Sequence, residues 1–312
     1  MREIVIGKND ADQRVDKFLM KTMKDMPKSL MYKYIRNKKI KVNQKRCEIS
    51  QRLKEGDVLQ CFIPEEFFET KKDLHFLKVP SNLDVIYEDD QLVIVNKPVG
   101  LLAHSDTNEI QDNLADRLLH YLYKKKEYDP DQEQSFAPAL CHRIDRNTQG
   151  IVICAKTSEA LRIMNEKIRN REMDKRYLCI VEGILKKKED RLILYHKKLE
   201  HNKADIVPYE KEGYQRIDTG YCVRKEYEDS SLVEVDLHTG KSHQIRAVMA
   251  YLKHPLLGDV KYGARKGTYS YQALCAYQVS FHFQDENSVL QAVNHKTFTL
   301  EIRDWLKRYG KS

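Results

Sequence analysis

The positive charge of this chain is concentrated at one end, and that uneven distribution constrains the fold more than any other feature. Residues 1–63 carry 16 Lys or Arg against 8 Asp or Glu, whereas residues 64–312 balance 39 against 39. The whole net charge of +8 therefore sits in the first fifth of the sequence. A chain of 312 residues exceeds one typical domain, and a basic block beside a neutral one predicts a small unit that holds a polyanion and a larger unit with another task. The expected division is residues 1–63, a connecting segment 64–84, and residues 85–312. In the connecting segment Glu65, Glu66 and Glu69 lie beside Phe67 and Phe68, between Pro64 and Pro80, and we expect it to lie against the larger unit.

Hydrophobic residues make up 41% and charged residues 33% of the chain, as in a soluble globular protein. No apolar run approaches the length of a membrane span. Met1 to Asn9 has no apolar signal core, which predicts a cytoplasmic protein without membrane partners. The seven cysteines (Cys47, Cys61, Cys141, Cys154, Cys179, Cys222, Cys275) are scattered and form no C-x-x-C pair. They suggest neither a zinc site nor a disulfide framework, and read as small buried hydrophobes.

Hydrophobic spacing predicts helices from Gln13, with Val15, Phe18 and Leu19 on one face, and from Pro27 to Ile35. Short strands follow around Ile40–Asn43 and Val58–Ile63. The larger unit opens with apolar strands Val85–Tyr87 and Leu92–Val95, then a rigid Pro98–Gly100 turn. Helices are predicted at Asn113–Leu122, at Thr157–Asn170 with a Thr157 or Ser158 cap, and from Gln244 with Ile245, Val248, Met249 and Leu252 inward. Lys124–Phe136 reads as a charged, mobile surface loop, and 184–230 as polar, irregular chain with hairpin strands. Strands at Leu232–Leu237, Leu274–Phe283 and Phe298–Ile302 precede a terminal helix with Trp305. Helices and strands in uneven alternation predict an α+β fold.

One segment stands apart. His142-Arg143-Ile144-Asp145-Arg146-Asn147-Thr148-Gln149-Gly150 places a carboxylate between two guanidinium groups, immediately before the β-branched strand Ile151–Ala155. Positive charge on either side favours the ionised carboxylate, suited to act as nucleophile or base rather than as proton donor. A loop at the mouth of a sheet is where reactive groups are commonly held. By itself the segment reads more readily as a loop salt bridge.

The rest of the sequence changes that balance. HRIDRNTQG resembles the HRLDxxTSG motif of the RluA-type family of RNA pseudouridine synthases. Asn96–His104, Lys175–Gly183, Leu237–Arg246 and Gly258–Gly263 match the same family in the same order. The two helices, basic turn and small strands of about residues 13–63 resemble the S-four-like (alpha-L) RNA-binding domain. The resemblance implies a catalytic domain with a mixed, mainly antiparallel sheet, preceded by a small α/β RNA-binding domain. It also implies conversion of uridine in RNA to pseudouridine. That isomerisation changes no oxidation state and adds no group, so no cofactor and no metal are expected; the sequence shows no phosphate-binding glycine loop.

By resemblance Asp145 is the catalytic residue, Arg246 pairs with it, and Tyr177 stacks on the target base. Arg143 is expected to fill the stack after the base leaves it. His142, His243 and Gln244 are read as RNA or loop support, and Lys97 and His104 as phosphate or pocket contacts. Lys28, Lys33, Arg36, Lys38 and Lys39 are expected to touch the RNA backbone. Asp259 is a second carboxylate, read as a turn residue capping backbone amides. The chain departs from the family at Gln149 (usually Ser), Lys241-Ser242 (Arg-Thr) and Ser105 (often Pro); these departures bear on substrate preference more than on activity. Ribosomal RNA of the large subunit is the expected substrate, transfer RNA the second choice, and a monomer the expected state. A catalytically idle RNA-binding protein and a nucleoside hydrolase are the alternatives. The set Asp145, Tyr177 and Arg246 argues against the first, and the lack of a second acid in the matched motifs argues against the second.

Overall fold

A computed structural model describes residues 1–68, 74–105, 111–200, 203–267, 269–285 and 288–311. The N-terminal unit is a four-stranded antiparallel sheet with two helices. In chain order it contains β1 (Arg2–Val5), α1 (Val15–Thr22), α2 (Lys28–Arg36), β2 (Ile40–Val42), β3 (Lys45–Arg46) and β4 (Val58–Cys61). The strands lie in the order β1-β4-β2-β3. The edge strand β1, which hydrophobic spacing did not single out, pairs Arg2 through Val5 with β4. Val15, Phe18 and Leu19 of α1 and Met31 and Ile35 of α2 meet in a core of their own. The opposite side of α2 is left to its lysines.

The larger unit begins with β5 (Val85–Glu88), β6 (Leu92–Lys97), α3 (Leu114–Lys124), β7 (Ala139–Leu140), β8 (Gln149–Ala155), α4 (Ser158–Arg169) and β9 (Met173–Glu182). It continues with β10 (Glu189–Lys198), β11 (Ala204–Val207), β12 (Gln215–Glu226), β13 (Ser230–Leu237), α5 (Gln244–Tyr251), β14 (Leu274–Phe281), β15 (Thr297–Thr299) and α6 (Arg303–Arg308). Its described strands form one sheet of eleven, ordered β11-β10-β12-β13-β9-β14-β8-β6-β5, with β15 on β14 and β7 on β8. The pairings are antiparallel except β14 with β8. Cores of apolar side chains cover both faces, so the middle strands are nearly unbroken apolar runs. The fold is α+β, as expected from the sequence.

The hairpin strands expected within 184–230 are present and long: β10 and β12 pair over eight residues each, Glu189–His196 against Gln215–Cys222. The segment reads as polar because one face of this outer part of the sheet meets solvent. One local expectation changes. Lys124–Phe136 is pinned rather than free. Ser135 donates to the buried Asp10 carboxylate through its amide (3.1 Å) and its hydroxyl, Gln134 Nε2 reaches Val5 O (2.8 Å), and Asn9 Nδ2 reaches Glu133 (2.7 Å). Arg162 of α4 adds an ion pair to Asp12 at 3.2 Å. These contacts seat the basic unit on the larger one through polar groups.

The segment between the units packs at both ends. Phe67 and Phe68 cover the N-terminal core, and Phe76 is buried with its ring 5.9 Å from Tyr123 and 6.0 Å from Tyr128. Glu69 lies outside the described residues. No helix among the described residues is long and apolar enough to cross a membrane.

Gly150, the first buried residue of β8, sits where three strands meet, opposite Lys97 of β6 and Ala276 of β14. Its φ of 132° and the nearness of Ala276 leave no room for a side chain: a Cβ would collide with the Ala276 carbonyl and lie 2.6 Å from its amide nitrogen. Gly150→Ala is expected to lower stability by about 3 kcal/mol or more, through overpacking and a forbidden backbone angle. Urea denaturation followed by circular dichroism measures this, and a loss below about 1 kcal/mol would contradict the close approach.

Candidate active site

The loop between β7 and β8 carries Asp145, and backbone contacts hold it on both sides. Thr148 N donates to Asp145 O (3.0 Å) and Gly100 N to Arg146 O (3.0 Å). Lys97 is fully buried at the end of β6, and its Nζ donates to Pro98 O (3.0 Å), Leu101 O (2.8 Å) and Arg146 O (2.9 Å). Burial pulls the Lys97 amine down to about 8, against the opposing pull of Asp145. All three donors are occupied by carbonyls, so Lys97 is a brace under the loop; the expected phosphate contact is corrected.

Arg143 and Arg146 both point into solvent, and Arg146 Nε donates to Gly100 O at 3.1 Å. Neither makes an ion pair with Asp145 among the described residues: on a tight loop, side chains adjacent in sequence diverge. The charge partner comes from 101 residues away. Arg246, in the first turn of α5, donates through Nη1 to Asp145 Oδ2 at 3.2 Å. Its Nε and Nη2 grip both oxygens of Asp259 at 2.7 and 2.8 Å.

The side chains of Arg246 and Asp259 are 8% and 1% exposed. Burial works against the guanidinium charge, but Asp259 and Asp145 more than compensate and raise its pKa. A planar donor fork against a carboxylate is the strong form of this contact. Among the described residues the Asp259 side chain accepts from Arg246 and caps no amide, contrary to what its turn position had suggested; it is the anchor that aims Arg246 at Asp145.

Tyr262, three residues after Asp259, lays its ring 5.0 Å from Arg246 Cζ. His243 precedes α5 in a left-handed conformation (φ 57°) with Nε2 3.7 Å from Asp145 Oδ2. Gln244, read as loop support, fills that role: its amide bridges Thr219 and Thr239 and accepts from Lys241 N.

Tyr177 lies on β9, 7% exposed within the core cluster, and its hydroxyl makes no hydrogen bond among the described residues. Burial first, then the charge of Asp145, pushes its pKa far up, which keeps the phenol protonated and places it within electrostatic reach of the carboxylate. It lines a small cavity with His142, Ile151, Lys175 and Ala276. His142 accepts the Ile153 N–H at Nε2 (3.2 Å), and burial pushes its pKa down to about 3, so as a neutral ring it supports strand β8. His104 remains at the surface beside Arg143; partial burial and then that positive charge lower its pKa.

Lys28, Lys33, Arg36, Lys38 and Lys39 are all exposed, on α2 and the turn after it. The structure leaves them on the N-terminal unit, apart from the Asp145 cluster. Gln149 turns out of the site, its Oε1 accepting from Arg308 Nη1 of α6 at 3.2 Å. Sequence reasoning missed the parts played by Asp259, Tyr262 and His243. The available signal was the spacing of a carboxylate and a ring three residues apart, directly after the helix that carries Arg246.

Residues 91–251 match the family described as RNA pseudouridylate synthase, and residues 13–59 match the S4 domain. An uncharacterised RNA pseudouridine synthase of Mycoplasma capricolum is 33% identical over 99% of this chain and 100% of its own length. The ribosomal large subunit pseudouridine synthase C of Escherichia coli is 32% identical over 84% of this chain and 80% of its own. Among solved structures, human RNA pseudouridylate synthase domain containing 4 overlays with a TM-score of 0.56 at 21% identity, over 72% of this chain and 92% of that one, which speaks for the fold. The Asp145–Arg246–Asp259 cluster therefore sits in a chain that belongs to the RNA pseudouridylate synthase family and carries an S4 domain at its N-terminal end.

Proposed function

We propose that this synthase isomerises a uridine of large-subunit ribosomal RNA, with Asp145 acting on the ribose of an extruded nucleotide. The observation that carries the reading is the charge geometry at Asp145: one carboxylate, partly open to solvent (side chain 27% exposed), aimed by a guanidinium that is itself locked to a buried acid. Such an arrangement holds a negative oxygen in place without a second free acid nearby, as expected where the leaving base is retained. The N1–C1′ bond breaks, the base turns, and C5 joins C1′; the C5 proton leaves and N1 gains one. Asp145 begins this by attack on C1′ or by taking a sugar proton, and either route starts from the same carboxylate.

The other residues fit around that step. A stacked base must leave its helix to be reached, at a cost of a few kcal/mol. Arg143, exposed beside Asp145, fills the vacated stack. Tyr177 stacks against the target base, and its hydroxyl helps exchange the C5 proton. Residues 1–63 serve as the RNA anchor, 64–84 join it to the enzyme unit, and residues 85–312 carry the chemistry, in a single chain working as a monomer. The support for ribosomal RNA is the naming of relatives such as the Escherichia coli protein. Mapping pseudouridines in ribosomal and transfer RNA with and without this gene tests it: loss confined to transfer RNA would overturn the choice of substrate.

Asp145→Asn keeps the volume but removes the charge. It is expected to abolish product formation, a loss of at least about 10⁴-fold in kcat, while RNA affinity stays within a few-fold. The measurement is carbodiimide labelling read by reverse-transcription stops, and ordinary turnover in this variant would sink the assignment. Replacing Lys28, Lys33, Arg36, Lys38 and Lys39 by glutamine tests the anchor. The slope of log affinity against log salt should flatten by about 0.7–0.9 for each phosphate that the unit no longer neutralises. An unchanged slope would move the anchor elsewhere.

A further inference from the structure

We propose that Tyr262 and His243 form a positioning relay that fixes the orientation of the Asp145 carboxylate, so that Oδ2 is held by the protein and Oδ1 is presented to the ribose. The proposal rests on Asp145 as the reacting carboxylate and adds two residues and an oxygen assignment to that reading.

The argument begins at the Tyr262 hydroxyl. The backbone N–H of Ala204, at the start of β11, donates to it at 2.7 Å. A phenol has one hydrogen to give, and with Ala204 already donating, that hydrogen is free for another acceptor. His243 Nδ1 lies 3.0 Å from the same oxygen. Tyr262 O–H therefore donates to Nδ1, because the opposite polarity would leave a buried phenol hydrogen without an acceptor. An imidazole that accepts at Nδ1 carries its hydrogen on Nε2 in the neutral form. The ring edge stands on the Tyr262 ring, centroids 5.7 Å apart at 79°, which holds the imidazole plane.

Nε2–H then faces Asp145 Oδ2 across 3.7 Å, an electrostatic contact that a small closure on substrate binding converts into a hydrogen bond. Arg246 Nη1 donates to the same oxygen at 3.2 Å. Two donors thus converge on Oδ2, while Oδ1 takes no hydrogen bond among the described residues. The left-handed backbone at His243 is the kind of strained position that persists where a side chain must be aimed. Lys203, 5.8 Å from the centroid of the Tyr262 ring, and Arg246, 5.0 Å from it, hold that ring between two cations. Tyr262 thereby links the outer strand β11 to the reaction centre. Neither His243 nor Tyr262 needs to touch the substrate; both act through Asp145.

Histidine-selective ¹⁵N labelling of the full-length enzyme reads the relay directly, with His243→Gln used to assign the signal. The expected wild-type result is a neutral His243 protonated at Nε2. Tyr262→Phe keeps the ring against Arg246 but removes the donor, so the Nδ1 resonance should move to that of an imidazole nitrogen without a hydrogen bond while Nε2 stays protonated towards Asp145, with kcat reduced about 10- to 100-fold and KM little changed. A dispersed spectrum certifies that the variant is folded.

A wild-type His243 protonated at Nδ1 would overturn the relay. So would Tyr262→Phe with an unmoved Nδ1 resonance, or with a moved resonance and undiminished kcat, since the contact would then serve only packing. Failure of the underlying reading would look different: Asp145→Asn would remain active whatever the tautomer of His243.

Discussion

The buried guanidinium of Arg246 is the constraint on which the site depends. It sits between two carboxylates, one sealed in the core and one partly open to solvent, and a planar fork can satisfy both only from one direction. Removing a partner from a buried pair of this kind costs about 3–5 kcal/mol, because it strands a charge away from water. Asp259 is therefore as much a part of the site as Asp145, although only one of them is open to a substrate. The pairing also ties α5 to the β7–β8 loop, two parts of the chain that share no strand pairing.

A reactive loop positioned to this degree needs support beneath it. Lys97 supplies it from below by saturating three carbonyls, and Gly150 supplies it by closing the gap to β14 completely. Gln149, the residue that departs from the family motif, contributes by fastening the start of β8 to Arg308 of α6. The departure therefore exchanges a small hydroxyl for a longer tether to α6. His142 completes the frame by accepting a strand amide.

The seating of the basic unit follows another logic. Among the described residues, its polar contacts with the larger unit run from Val5, Asn9, Asp10 and Gln13 to residues 133–135, and from Asn9 and Asp12 to α4. Hydrogen bonds of this kind contribute about 1 kcal/mol each and specify geometry more than they add stability. They give the RNA-holding surface a defined position relative to Asp145, whereas Phe76, sunk against α3, keeps the connecting segment on the enzyme unit.

Periodicity and charge alone established the α+β class, most helices and central strands, the Thr157 cap, and the confinement of positive charge to one end. These are local properties, set by side-chain spacing of two or about three and a half residues and by composition. The motif residues also marked Asp145, Tyr177 and Arg246. What spacing could not tell was direction. Arg143 and Arg146 stand next to Asp145 in sequence yet turn away, while Arg246 and Asp259 arrive from α5 and the turn beyond it. Lys97 looked like a phosphate ligand because a lysine in a loop motif is usually exposed, and only the closure of three carbonyls around it made it a core residue. The hairpin strands of 184–230 were expected but not their length or register, since an outer sheet needs apolar residues on one face alone. Which side chains face one another across the sheet depends on pairing between segments a hundred residues apart, and that was decided only when the tertiary structure brought them together.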